Sequence, residues 1–179
     1  LVDRAVKAIT KDGILDAENY NHNFDVIIYA TGFNPFNILS SMEVKGAEGV
    51  TLADCWQENI QSHKTVAISG FPNFFMLLGP NSALGHNSVI LMIEAQVNYI
   101  VKCLKKMRKN GWTSLNPKSV SQDKFNNFIQ KRLQGTVWQG NCSSWYKDGD
   151  GQNFTIWPLS ATRYMLSMRK PDFSEYNVK

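Results

Sequence analysis

The sequence predicts an α/β protein, and three stretches carry that reading. The run Val26-Ile27-Ile28-Tyr29 is apolar without alternation, which suits a strand covered on both faces, as in a parallel sheet. The runs "KTVAISGF" and "NFFMLLG", separated by Pro72-Asn73, also read as strands. After them, from Val89, the residues Ile93, Val97, Ile100, Val101 and Leu104 recur at steps of three and four, the period of an amphipathic helix.

Each element has a local reason. "AVKAIT" and "ILDA" read as two short strands joined at Lys11-Asp12-Gly13, residues that hairpins favour. "ENYNHN" is a polar loop leading to the strand at 25–30. That strand stops on Ala30-Thr31-Gly32 and the chain resumes at Phe33. Gly32 permits a positive φ or a close backbone approach, and small residues at the carboxyl end of a parallel strand suit a crevice-bound ligand. A tight turn leaving a core strand accounts for the stretch as simply. Residues 33–62 are mixed, with a short helix around "TLADCWQEN" that Thr51 or Asp54 caps. The long helix starts at a cap on Asn87 or Ser88 and stops at Gly111, with Ile93, Val97, Ile100 and Leu104 expected in the core. "SQDKFNNFIQKRLQG" is a second amphipathic helix, through Phe125, Phe128, Ile129 and Leu133. From Trp138 the chain has no periodicity, but it holds Trp138, Trp145, Tyr146, Trp157 and Tyr164.

Composition narrows the class. The 179 residues suffice for one domain with a good core, or a domain with an extension. The net charge of +4 is mild and collects in "KCLKKMRKNG", where cations complement a helix C-terminus. No aromatic-interleaved basic stripe accompanies it, so no nucleic-acid partner is expected. Cys55, Cys103 and Cys142 are odd in number and widely spaced, which argues for a reducing compartment, the cytoplasm, without disulfides. His22, His63 and His86 are equally scattered, and no metal-ligand spacing emerges. The sequons at Asn141 and Asn153 mean little without evidence of secretion, and no signal peptide is visible. "SVILMIEAQVNYIV" is too short and too polar to span a bilayer. The chain opens on Leu1 rather than Met, which predicts a piece of a longer protein.

The strand–loop–helix unit at 74–104 is the second crevice candidate. "LLGPNSALGHNS" sets two Gly, a Pro and capping residues before a helix N-terminus, where backbone N–H groups suit an anion or an electron-rich carbonyl edge. It lacks the Gly-Lys-Ser/Thr of a P-loop, and GxGxxG occurs nowhere in the sequence. A capped helix after a loop explains it alone. "KDGDGQN" fails as a calcium loop, because counting from Asp148 puts Asn153 at the turn-glycine position and Leu159 at the bidentate position. A hairpin-like turn fits better. Cys142 has no partnered histidine in sequence and reads as a packed or pocket-lining thiol. The residues name no catalytic acid, base or nucleophile.

Taken together, "DVIIYATGF", "GFPNFFMLLGPNSALGHNSVILMIEAQVNYI", "WQGNCSSWY" and "GQNFTIWPLSATRYM" resemble the C-terminal portion of class B flavoprotein monooxygenases. The likeness is nearest to the Baeyer–Villiger and 4-hydroxyacetophenone monooxygenase-like branch, and the order and spacing of four motifs make it specific. The resemblance implies an α/β fold with two dinucleotide-binding domains. Residues 1–33 would end the NADPH-binding domain and form the junction. Residues 34–134 would be the C-terminal part of the FAD-binding domain, and 135–179 an aromatic-rich C-terminal extension. Residues 1–30 and residues 66–78 would then belong to different sheets in the intact enzyme.

It also implies FAD and NADPH as cofactors, O2 activated as a C4a-peroxyflavin, and transfer of one oxygen atom to a small ketone or heteroatom substrate. Ala30, Thr31, Gly32 and Phe33 would sit at the domain junction near the dinucleotide crevice. Gly79, Pro80, Asn81, Asn87 and Ser88 would contact the flavin, and Trp138, Asn141 and Trp145 would help cover cofactor and substrate. Both GxGxxG fingerprints of the family, the longer fingerprint between them and its upstream arginine are absent from this sequence. The isolated chain would therefore expose apolar surface and self-associate. A pyridine-nucleotide reductase shares the ATG strand end, though the "GNCSSWY" and "WP" tail argues against it. A non-catalytic binding module built on the same packing stays open.

Overall fold

A computed structural model describes residues 2–30, 42–140, 144, 146–147 and 151–179. The chain divides into two compact units, residues 1–34 and 35–179. In the first, strands β1 (Val6–Thr10) and β2 (Gly13–Asp16) form the expected hairpin around Lys11-Asp12. The polar stretch read as a loop supplies a third antiparallel strand, β3 (Asn21–Asn23). It approaches β2 so closely that a Cβ on Gly13 would lie 1.9 Å from the His22 carbonyl oxygen. Asp16, 2% exposed, organises the β2–β3 turn. Its carboxylate accepts from the Glu18 and Tyr20 amides, each at 2.9 Å, and lies 2.9 Å from His22 Nε2 and 3.2 Å from Arg4. Bonds from His22 foremost, then Tyr20, Arg4 and Glu18, hold its pKa well below the usual carboxylate range.

The apolar run at 25–30 does not form a strand. Val26, Ile28 and Tyr29 are 74%, 85% and 70% exposed. A parallel strand exists only through its neighbours, and none of the described residues pairs with this one. The runs at 64–71 and 73–79 also lack regular strands; they make single antiparallel bridges, His63 to Ala67 and Ala67 to Phe75. The expectation that these runs form strands is corrected accordingly.

In the second unit, helix α1 (Leu52–Glu58) is capped by Thr51, whose hydroxyl accepts from the Asp54 amide. Helix α2 (Val89–Asn110) is capped by Ser88 and closed by Gly111 at φ 68°, a left-handed conformation that glycine adopts freely. Strand β4 (Leu115–Pro117) follows, then helix α3 (Ser119–Leu133). The tail without periodicity holds helix α4 (Ala161–Met168), capped by Ser160, and strand β5 (Tyr176–Val178), which pairs antiparallel with β4.

The buried stripe of α2 is Met92, Gln96, Tyr99, Cys103 and Met107. The stripe expected from the periodicity is rotated from it by about one residue: Ile93 and Ile100 are half-buried, Ile100 packing against the core, but Val97, Val101 and Leu104 are 41%, 40% and 50% exposed. The helix is apolar on two adjoining sides, so period alone cannot select one. Packing selects the side that meets Ile129 and Leu133 of α3, Tyr164 and Met168 of α4, and Leu115 and Tyr176 of the small sheet. In α3, Ile129 and Leu133 are buried as expected, whereas Phe128 is 41% exposed. Urea unfolding of the 179-residue chain should therefore show Met92→Ala losing about 2–5 kcal/mol, with Leu104→Ala costing clearly less; equal losses would contradict this assignment.

Candidate functional site

The loop from Leu78 to Ser88 is built from both ends of its unit. Leu78 reaches it with its amide donating to Gln96 Oε1 of α2 at 2.9 Å. Gln96 Nε2 in turn donates to Thr65 Oγ1 at 3.1 Å and to the Tyr164 hydroxyl at 2.8 Å, and Thr65 and Tyr164 bond each other. All three side chains are at most 1% exposed. Every polar group in this cluster has a partner, which is the condition for burying it without a large desolvation cost. Burial pushes the Tyr164 hydroxyl up to about 12, so it stays protonated and keeps its hydrogen-bonding roles.

Gly79 follows, where a Cβ would lie 2.4 Å from the Thr65 carbonyl oxygen and 2.6 Å from Met76 Sδ. Pro80 is buried, and Asn81 adopts φ 58° at 1% exposure. The Asn81 side chain donates to the carbonyls of Asn153 (2.8 Å) and Ile156 (3.2 Å), and its backbone amide donates to Phe154 (2.6 Å). Ala83 continues this pairing as a parallel bridge to Ile156. Beyond it the loop turns outward: Asn87 and Ser88 are exposed, Ser88 Oγ accepts from the Ile90 amide, and the first turn of α2 carries no acidic side chain.

Of the residues expected to act together, Trp138 meets this loop, packing against Gly85. Ala30 is exposed in the first unit. Thr31, Gly32, Phe33, Asn141 and Trp145 lie outside the described residues, as does Cys142. Lys147 and Asn153 form an antiparallel bridge, and residues 148–150 of "KDGDGQN" lie outside the described residues. Sequence reasoning passed over Gln96, Thr65, Gly85 and Asn153. The one visible signal was Gln96, a polar residue four positions from Met92 and three from Tyr99 on the same side of the helix. Cys103 is fully buried, and desolvation raises its thiol to about 12, so it is an inert packing residue. No group of three or more His, Cys, Asp or Glu among the described residues is placed to hold a metal.

No family model matches the chain. Among curated proteins it is 36% identical over 180 residues to a Baeyer–Villiger monooxygenase of Pseudomonas aeruginosa, covering 99% of this chain and 34% of that protein. The chain is thus similar to about a third of that protein. An FAD-binding monooxygenase of Aspergillus niger is 32% identical over 181 residues, covering 98% of this chain and 30% of its own length. Among solved structures, OTEMO in complex with FAD and NADP superposes with a TM-score of 0.78 at 22% identity, over 99% of this chain and 34% of that one. The closed form of cyclohexanone monooxygenase gives 0.76 at 22% identity, over 99% and 34% respectively. The chain thus spans about a third of the length of the curated relatives it matches. Its α/β fold is that of the C-terminal region of these larger two-domain proteins.

One buried titratable group lies behind the site. His63 is 0% exposed, between the rings of Phe125 (6.3 Å) and Tyr176 (5.2 Å), with Nε2 3.3 Å from Glu175 Oε2. Burial first and the neighbouring Lys64 cation second hold its pKa down to about 4, against the backbone of Ser121, so the ring is neutral at pH 7 despite Glu175. The folded chain then binds fewer protons than the unfolded one between pH 6.5 and 4, and stability falls as pH drops through that window. Melting temperatures from pH 7 to 4 should show this loss, and His63→Leu should flatten it. An unchanged slope in the variant would contradict the assignment.

Proposed function

We propose that this chain is the flavin-facing C-terminal part of an FAD- and NADPH-dependent monooxygenase that transfers one oxygen atom from O2 to a small organic substrate, a ketone or a heteroatom compound. The observation that carries the reading is the 36% identity to a Baeyer–Villiger monooxygenase across 99% of the chain. The residues present fit one edge of a flavin: an outward N-terminus of a 22-residue helix, with no acid in its first turn, offers partial positive charge to an electron-rich ring edge. FAD, when bound, supplies the oxygen chemistry, with NADPH as the hydride source.

The chain's own residues bind, orient and cover. Asn87 and Ser88 present the helix end to the flavin, while Gly79, Pro80 and Asn81 give the loop its shape. Ala30, Thr31, Gly32 and Phe33 form the junction between residues 1–33 of the NADPH domain and residues 34–134 of the FAD domain. Trp138, Asn141 and Trp145 belong to the covering extension, residues 135–179.

Two features support the view that most of the cofactor site lies on chain beyond these residues. The apolar run at 25–30 is exposed without strand partners among the described residues, and α2 turns Val97, Val101 and Leu104 outward beside a shallow groove of about 200 Å³. Such surface favours self-association of the isolated chain. No helix among the described residues is long and apolar enough to cross a membrane. The free thiols of Cys55 and Cys103 agree with a cytoplasmic setting.

Most polar anchoring of a dinucleotide comes from a Gly-rich turn and helix N-terminus at its pyrophosphate, and this sequence has no such turn. The isolated 179-residue chain, given excess FAD and then freed of unbound flavin, should be colourless and should not oxidise NADPH. The longer protein should be yellow, and should consume O2 and NADPH with a ketone or thioether. A stoichiometrically yellow isolated chain, or a longer protein without flavin, would overturn the proposal.

A further inference from the structure

Trp138 sits half-buried in a short 3-10 helix (Val137–Gln139) and is held from three directions. Its six-membered ring edge occupies the space beside Gly85: a Cβ there would lie 2.4 Å from both Cη2 and Cζ2. The Gly85 backbone is not left-handed, so excluded volume alone demands glycine at that position. Tyr146 packs against the indole edge to face, with centroids 5.4 Å apart at 81°. Asn153, 0% exposed, donates from Nδ2 to the Trp138 carbonyl at 3.1 Å. The same Asn153 accepts from the Thr155 and Ile156 amides through Oδ1, and from Asn81 through its backbone carbonyl.

Trp138 is therefore tied by its backbone to the hub that holds Asn81, and by its ring to Gly85, three residues before the Ser88 cap. A covering residue that swings over substrate would need neither attachment. We propose that Trp138 is a positioning residue: wedged on Gly85, it sets the Gly85–Ser88 segment and with it the aim of the α2 N-terminus at the flavin. The proposal rests on the flavin reading given above. It predicts that crowding the wedge disturbs the cofactor itself, rather than substrate access alone.

The test uses the longer flavoprotein, with the FAD dissociation constant, the visible flavin band and the melting temperature read on each variant. Gly85→Ala should weaken FAD binding at least tenfold and shift the visible band, because the new methyl displaces the indole. In a Trp138→Ala background the same change should add little further loss, since the methyl then enters vacated space; such non-additivity is the signature of direct contact. If Gly85→Ala does not fold, Trp138→Phe carries the test: the smaller ring releases Gly85 and should shift the flavin band at unchanged melting temperature. A wild-type protein that binds FAD while Gly85→Ala and Trp138→Phe leave its affinity and band unchanged would overturn the proposal. So would a Trp138→Ala variant that alters only the KM for the organic substrate. A wild-type protein that binds no FAD would overturn this inference together with the flavin reading.

Discussion

The pairing of residues 81–83 with 154–157 is the constraint on which the second unit depends. Three backbone bonds make it: Asn81 to Phe154 at 2.6 Å, Ala83 to Thr155 at 3.0 Å, and Trp157 back to Ala83 at 2.8 Å. The Asn81 side chain adds two more to the same segment, from a residue held at φ 58°. Asparagine is among the few residues that tolerate that conformation while also supplying two donors. The loop and the tail are 72 residues apart in sequence at Asn81 and Asn153, yet neither has its conformation without the other. The tail is thereby part of the scaffold that fixes the start of α2.

The Gln96–Thr65–Tyr164 cluster extends the same logic from the opposite side. It joins α2, the turn at Thr65 and α4 with hydrogen bonds that apolar side chains could not make, and it ends on the Leu78 amide. A buried network with each member satisfied fixes geometry, whereas an apolar contact of the same area would permit sliding. Gln96 sits on the buried stripe of α2 for this reason. Together with the packing of α3, α4 and the β4–β5 pair, it turns the helix toward Met92 and Tyr99 and leaves Val97, Val101 and Leu104 outward.

What the sequence disclosed follows the range of the interactions involved. The β1–β2 hairpin, the Thr51 and Ser88 caps and the Gly111 stop are decided within a few residues, and all are where local chemistry puts them. The buried side of α2 depends on α3, α4 and the β4–β5 pair, so periodicity alone missed it. Strand β5 was invisible because three residues carry no pattern until β4 accepts them. The run at 25–30 has strand chemistry without a partner among the described residues, so propensity could not make it a strand. In the site, the loop's composition marked Gly79 to Ser88, but the roles of Gly85 and Asn153 are set by a distant indole and a distant carbonyl.

Amide hydrogen exchange on the 179-residue chain tests the central claim most directly. If the tail pins the loop, the amides of Leu78, Asn81, Ala83 and Trp157 should exchange as slowly as those in the middle of α2, because opening any of them requires the unit to open. Fast exchange at Asn81 and Ala83, with α2 still protected, would show a loop that moves independently of the tail and would contradict the account.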